Sequence, residues 1–326
     1  MKKKTLDKFI YDFTHLRRDY KKGGAPHKPI LLLSVISQFY NDNIKENKVF
    51  ITPELVGEFK RIWSDLVETD HHCIFALPFY HLRSSSFWYL KPKYGFEGIV
   101  NSKIAMKSFS NLNDAVEYVY LDEDLYDFMQ NKIDRNKLLN AILDKYFPST
   151  KHHFNFKNSD LYYKSAEEKI LFDSPDEYSI TLKELQKNLK EEEYFEETFI
   201  RSTIFKRKVP IIYKNRCAVT GLQINATFNI SMVDACHIKP FSVSYDDTIT
   251  NGISLSPNIH RAFDRGMLTI DKDYKVVVSN KFNENFVSDK SYSIKQFHGK
   301  RIILPKDKRF LPNLENLEWH RQNIFK

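Results

Sequence analysis

The sequence predicts an α+β protein of two domains: a mostly helical first half, and a second half in which short strands bracket a loop and one helix. Three observations predict it. The chain has 326 residues, a length that ordinarily divides into two cores. Its first half repeats apolar residues at helical spacing. Its second half, between Val233 and Gly266, replaces that period with short apolar runs separated by turn residues. The expected boundaries are a helical domain over 1–148, a connector with a charged helix over 149–197, and a second domain over 198–326.

The elements follow in order. Leu6, Phe9, Ile10, Phe13 and Leu16 place an amphipathic helix over 5–22, and "KKGGAPHKP" breaks it. Pro29 opens "ILLLSVISQFY", apolar enough to be a buried helix. Thr52 and Pro53 suit the N-cap and first position of a helix reaching Val67. "FALPFYHL" and "SSFWYLKP" read as short extended pieces, and 111–131 and 135–147 as helices. Residues 149–183 show no period and read as a connector, followed by a charged helix over 181–202.

The formal charge of +8 favours polyanionic partners, although a solvated lysine-rich surface produces the same balance. Three cysteines without a C-x-x-C pair argue against a zinc ribbon and fit a reducing compartment. The N-terminus lacks the apolar core of a secretory signal, and no apolar run has the length of a membrane span. The expectation is a cytoplasmic protein with no membrane partner.

The chemistry concentrates in "DACHIKPFSVSYDDTITNGISLSPNIHRAFDRG". His237 ends a short strand. A loop with Asp246 and Asp247 leads to Asn251-Gly252, a turn dipeptide, and a second strand. Ser256, Pro257 and Gly266 suit the cap, first position and end of a helix bearing His260 and Asp264 on one face. Phosphodiester hydrolysis needs a base that titrates near neutrality and a cation for the charge that builds on phosphate. His237, Asn251 and His260 can fill the roles of base, loop brace and ligand.

"RCAVTG…ACHIKPF…NGISLSPNIHRAFDRGMLTID", with the closing "LPNLENLEWHRQNIF", resembles the HNH, or ββα-metal, nuclease domain of McrA-type restriction endonucleases over residues 198–326. The resemblance implies His237 as general base, Asn251 as loop brace and His260 as ligand of a divalent ion, Mg or Mn. It also implies products with a 5′-phosphate and a 3′-hydroxyl. Many such enzymes carry an acidic residue or His directly before the base; here Cys236 stands there, and a thiolate would favour softer ions. Asp234 and Asp264 are the further ligand candidates. The run 201–221 holds six Lys or Arg and no acid, so Lys206 and Arg207 are candidate phosphate contacts.

In the first half, "GGAPHKP" puts His27 and Lys28 at a helix start, where free N–H groups favour an anion, while "FALPFYHL" offers an apolar wall. Residues 5–145 resemble the sulfur-binding domain fused to HNH nucleases in phosphorothioate-dependent restriction enzymes. That resemblance implies His27, Lys28, Pro78 and Phe79 as the contacts to the modified backbone. Arg17, Arg18, Arg83 and Lys103 are candidate contacts to neighbouring phosphates. Family members often carry Tyr where this chain has Leu77. The expected partner is double-stranded DNA, read as a homodimer. A methylated base, an unmodified sequence, or binding without cleavage are the alternatives that the sequence leaves open.

Overall fold

The computed structural model describes residues 3–101, 108–156, 160–224, 231–285 and 293–326. The chain forms two compact units: Met1–Ser165 with Leu189–Ile200, and Ala166–Asn188 with Arg201–Lys326. No helix among the described residues is long and apolar enough to cross a membrane.

In the first unit, α1 (Leu6–Thr14) is capped by Thr5 and buries Phe9 and Phe13. It stops well short of the expected residue 22. The Thr14 hydroxyl turns back to the Ile10 carbonyl at 2.8 Å, and His15 leaves helical geometry. Lys22, Gly23 and Gly24 then take positive φ, so Ala25 N–H returns to the Asp19 carbonyl at 2.7 Å. α2 (His27–Tyr40) follows, and every residue from Pro29 to Phe39 is buried, as its apolar sequence requires. α3 (Pro53–Leu66) begins on a Thr52 side chain that accepts from Leu55 N–H at 3.2 Å.

The segment read as extended, 75–82, is instead α4 (Ala76–His81). Phe75 and Phe79 are four apart and pack with ring centroids 5.3 Å apart, a helical contact that outweighs the strand-like composition. β1 (Trp88–Pro92) agrees with expectation, and α5 (Glu97–Asn101) follows it.

The single helix expected over 111–131 is replaced by α6 (Phe109–Ala115), β2 (Val116–Leu121) and α7 (Glu123–Gln130). "VEYVYL" has the alternation of a half-buried strand and pairs antiparallel with β1, Trp88 opposite Leu121. α8 (Lys132–Tyr146) closes this run.

The expected connector is also helical: α9 (Leu161–Phe172) and α10 (Pro175–Asn188). Ser174 and Glu177 form a reciprocal cap, with Ser174 N–H donating to Glu177 Oε2 at 3.2 Å and Glu177 N–H to Ser174 Oγ at 3.3 Å. Ile170, Tyr178 and Leu182 are fully buried, too few apolar positions to set up a visible period.

The charged helix expected over 181–202 breaks near Leu189, and α11 (Glu191–Ile212) starts anew. Its acidic start turns inward within the first unit. Lys60 lies buried 3.4 Å from Glu196 and 3.3 Å from Glu197. Glu193 and Glu196 accept the backbone N–H groups of Cys73 and Phe75 at 3.2 and 2.7 Å. These bonds fix the segment that leads into α4.

The second unit holds the strand–loop–strand–helix. β3 (Asp234–His237) pairs antiparallel with β4 (Gly252–Leu255), His237 opposite Gly252. Between them lies the short α12 (Phe241–Ser244), and after them α13 (Pro257–Asp264). β5 (Leu268–Ile270) and β6 (Val276–Val278) make an antiparallel hairpin, and α14 (Leu314–Asn323) packs on β5. Gly266 has φ +71, and a Cβ there would overlap the Ile324 carbonyl oxygen, so only glycine lets the chain turn out of α13.

Candidate functional site

His237 and His260 line one cavity of about 280 Å³ in the second unit, with Ile238, Pro240, Phe241 and Asp264. His237 reaches it from the end of β3. Its ring stacks on Phe205 of α11, centroids 4.0 Å apart and planes 10° apart. Its Nε2 lies 2.8 Å from Asp247 Oδ1, and Asp247 is wholly buried.

Asn251 is fully buried just before β4. Its Nδ2 donates to the carbonyls of Lys239 and Asp246, each at 2.9 Å. Its Oδ1 accepts from Lys239 N–H at 2.9 Å and from Asn316 Nδ2 at 3.0 Å. One amide therefore closes both ends of the loop that follows the base, and its four bonds satisfy its full hydrogen-bonding capacity.

The neighbouring glycine serves a purpose other than the turn that the sequence suggested. Gly252 has extended backbone, φ −118. A Cβ there would lie 2.5 Å from Val209 Cγ2 and 2.9 Å from Phe205 Cε2. Glycine is needed because α11 crosses β4 closely, and the ring that would be pushed is the one stacked on His237. Gly252→Ala is expected to lower stability by about 1–3 kcal/mol through overpacking and to slow any reaction that depends on His237. Thermal unfolding and single-turnover rates of the variant check both.

His260 and Asp264 are four apart on α13 and face β3. His260 Nε2 lies 3.4 Å from Asp264 Oδ2, and its Nδ1 lies 3.4 Å from Asp234 Oδ2. The imidazole sits between two half-exposed carboxylates. Donor atoms of Cys236, His260 and Asp264 all lie within 4.8 Å of one another. Cys236 itself is wholly buried, and burial first, then the charge of Asp264, pushes its thiol well above the ordinary range. Its Sγ donates weakly to Asp264 Oδ1 at 3.8 Å. The cluster thus offers one thiol, one imidazole and one carboxylate as candidate donors to a cation. His320 of α14 borders the same cavity, stacked on Phe263 at 3.7 Å, and burial lowers its pKa to about 4. Neutral at pH 7, it braces α13 through its contact with the Phe263 carbonyl.

Of the basic run upstream, Lys206 and Arg207 are exposed on α11. Arg201 is buried over the Tyr178 ring, and Lys208 pairs with Glu167.

The first unit holds its own cavity, of about 790 Å³. Arg17, Arg18, His27, Lys28, Pro78 and Arg83, singled out from the sequence, all line it. Phe79 does not: its ring is fully buried against Phe75 and Trp88, a core position. Leu77 stands beside Pro78 on the wall instead. Lys103 lies outside the described residues. The start of α2 opens on this cavity without a side-chain cap.

His27 Nε2 donates to the His72 carbonyl at 2.8 Å. Burial lowers the His27 pKa to about 4, so the ring is neutral at pH 7. Lys28 is also lowered, by burial and then by Arg17, so two cations crowd the mouth. Arg18 stacks over Tyr146 at 4.3 Å and Arg83 over Tyr80 at 4.0 Å. His71 is on the wall as well. A cationic mouth with an apolar wall suits an anion that carries one poorly hydrated face.

Asp247, Phe205 and Asn316 were not anticipated as site residues. A loop carboxylate, a helix phenylalanine and a distant amide leave no local pattern, since their roles arise from long-range packing.

A ββα hairpin–helix thus brings two imidazoles and the Asp264 carboxylate to one cavity. Residues 217–271 match the HNH endonuclease family, and residues 6–158 match the ScoMcrA-like DNA sulfur-binding domain. The chain therefore carries a DNA sulfur-binding domain followed by an HNH endonuclease domain. A solved structure described as "Modification dependent TagI restriction endonuclease" is 24% identical, with a TM-score of 0.26. The match covers 37% of this chain and 37% of that chain, so this protein spans little more than a third of that one. No curated protein matches the chain.

Proposed function

We propose that the protein is a modification-dependent restriction endonuclease, which binds duplex DNA carrying a backbone phosphorothioate and hydrolyses phosphodiester bonds with a divalent cation. The observation that carries the cleavage is the convergence of His237, His260 and Asp264 on one cavity, under a loop closed by Asn251. His237 takes the proton of the attacking water. Asp234, His260 and Asp264 would hold the cation, Mg or Mn. When bound, such an ion neutralises charge on the scissile phosphate and the leaving oxygen. The products carry 5′-phosphate and 3′-hydroxyl ends. Arg17, Lys28 and the open start of α2 meet phosphate, while Leu77 and Pro78 face the sulfur, which is larger and less hydrated than oxygen. Lys206 and Arg207 add phosphate contacts. Cutting both strands takes two such sites, which a homodimer supplies.

The test is a matched cleavage assay on duplexes with one phosphorothioate, with a methylated base and with neither, in Mg²⁺, Mn²⁺ and EDTA. Cutting is expected on the phosphorothioate duplex, with loss in EDTA. Preference for the methylated duplex would move the reading to a modified base. No cutting in any divalent ion would make the protein a binder.

A further inference from the structure

We propose that Asp247 is the positioning residue of the catalytic base. It holds His237 in the tautomer with the proton on Nε2, so that Nδ1 is the nitrogen that accepts the proton of water. The inference rests on the nuclease reading and deepens it. Asp247 is fully buried, and its Oδ1 lies 2.8 Å from His237 Nε2. An ionised carboxylate can only accept, so Nε2 must donate. Its other oxygen, Oδ2, is buried and has no hydrogen-bond partner among the described residues. Among the described residues, the carboxylate's hydrogen bonding is directed to the imidazole.

The ring has little freedom otherwise. Phe205 covers one face at 4.0 Å, and Phe241 stands 6.3 Å away at an angle. A flip about the ring axis would replace a charge-assisted hydrogen bond with a C–H against a buried carboxylate. When water gives its proton to Nδ1, the ring becomes an imidazolium that already faces a negative partner. The same division of labour operates wherever a buried carboxylate orients a histidine base.

Other charged groups surround the pair and must be separated from it. Asp246 acts on both His237 and Asp247, Tyr178 interacts with Asp247, and Arg201 lies over the Tyr178 ring. Asp246 has a distinct task, since its Oδ1 accepts from Thr248 N–H at 2.8 Å and shapes the loop.

The experiment compares full-length wild type, Asp247→Asn and Asp246→Asn. In Asp247→Asn, kcat is expected to fall roughly 10- to 100-fold, with KM for DNA unchanged. The acid limb of the pH–rate profile is expected to move to lower pH, because the imidazolium is left without its partner. Nitrogen-15 NMR of His237 should show the Nε2–H tautomer in wild type and in Asp246→Asn, and a mixture in Asp247→Asn. Wild-type kcat with an unmoved acid limb in Asp247→Asn would overturn the proposal. So would an Nδ1–H tautomer in the wild type, a measurement that stands even if the Asn variant fails to fold. If the wild type cuts nothing, the nuclease reading fails separately, and the tautomer still decides whether Asp247 holds the ring.

Discussion

His237→Ala is expected to slow cleavage by about 10²- to 10⁴-fold, the size of a general base's contribution, while duplex binding stays nearly intact. The substitution takes away a ring that shares the cavity with His260 and Asp264 and also has a buried carboxylate behind it. Without it, water must be activated by a group placed for another purpose. Binding survives because the candidate phosphate contacts Arg17, Lys28, Lys206 and Arg207 are untouched. The fold should also hold: Asn251 closes the loop through four hydrogen bonds, none of which involves the His237 side chain. Stability falls somewhat, because Phe205 is left without its stacked neighbour and Asp247 without its donor. Single-turnover cleavage with saturating enzyme, beside a mobility-shift titration, separates the two effects. Near wild-type cutting by the alanine variant would remove His237 from the reaction.

The residues that share the candidate site were easier to pick out in the sequence than much of the fold. His237, Asn251 and His260 stand out because each sits at an element boundary: the end of β3, the entry to β4 and a helix opened by Pro257. Asp264 follows from helical geometry alone, four residues after His260. Asp247 stood in plain view in the loop, yet nothing local says that its carboxylate turns inward to meet an imidazole. Gly252 was misjudged for a related reason. The Asn-Gly pair carries a turn signal, but the need for glycine comes from the close crossing of Phe205 and Val209, a contact between segments far apart in the chain.

The helical reading of 111–131 failed at "VEYVYL", where alternation supports a strand once β1 is available to pair with it. The connector failed in the opposite sense. α9 and α10 bury so few side chains that no period emerges, although the Ser174–Glu177 cap was readable. In the first unit, the residues named for the wall were adjacent in sequence, and helical geometry sorted them. Within α4, Pro78 faces the cavity, whereas Phe79 turns into the core.

The same cavity governs the second large effect. Arg17→Glu with Lys28→Glu is expected to weaken binding of phosphorothioate and plain duplex alike, by about 10³-fold. The salt dependence is expected to flatten by about one unit of slope for each phosphate that is no longer neutralised. Both residues line the cavity, and burial first, then the like charge of Arg17, lowers Lys28, a cost that an anion between them would relieve. Reversing them converts a mouth that attracts phosphate into one that repels it. His27 cannot compensate at pH 7, because it is neutral there and its Nε2 is committed to the His72 carbonyl.

Leu77→Asn separates charge from wall. It keeps every cation but wets the apolar face, so affinity for plain DNA should hold while the preference for sulfur narrows. Titrations of both duplexes at several salt concentrations distinguish the outcomes. Unchanged binding by the double charge reversal would place DNA on another surface of the protein. An unchanged sulfur preference in Leu77→Asn would leave the wall without a role.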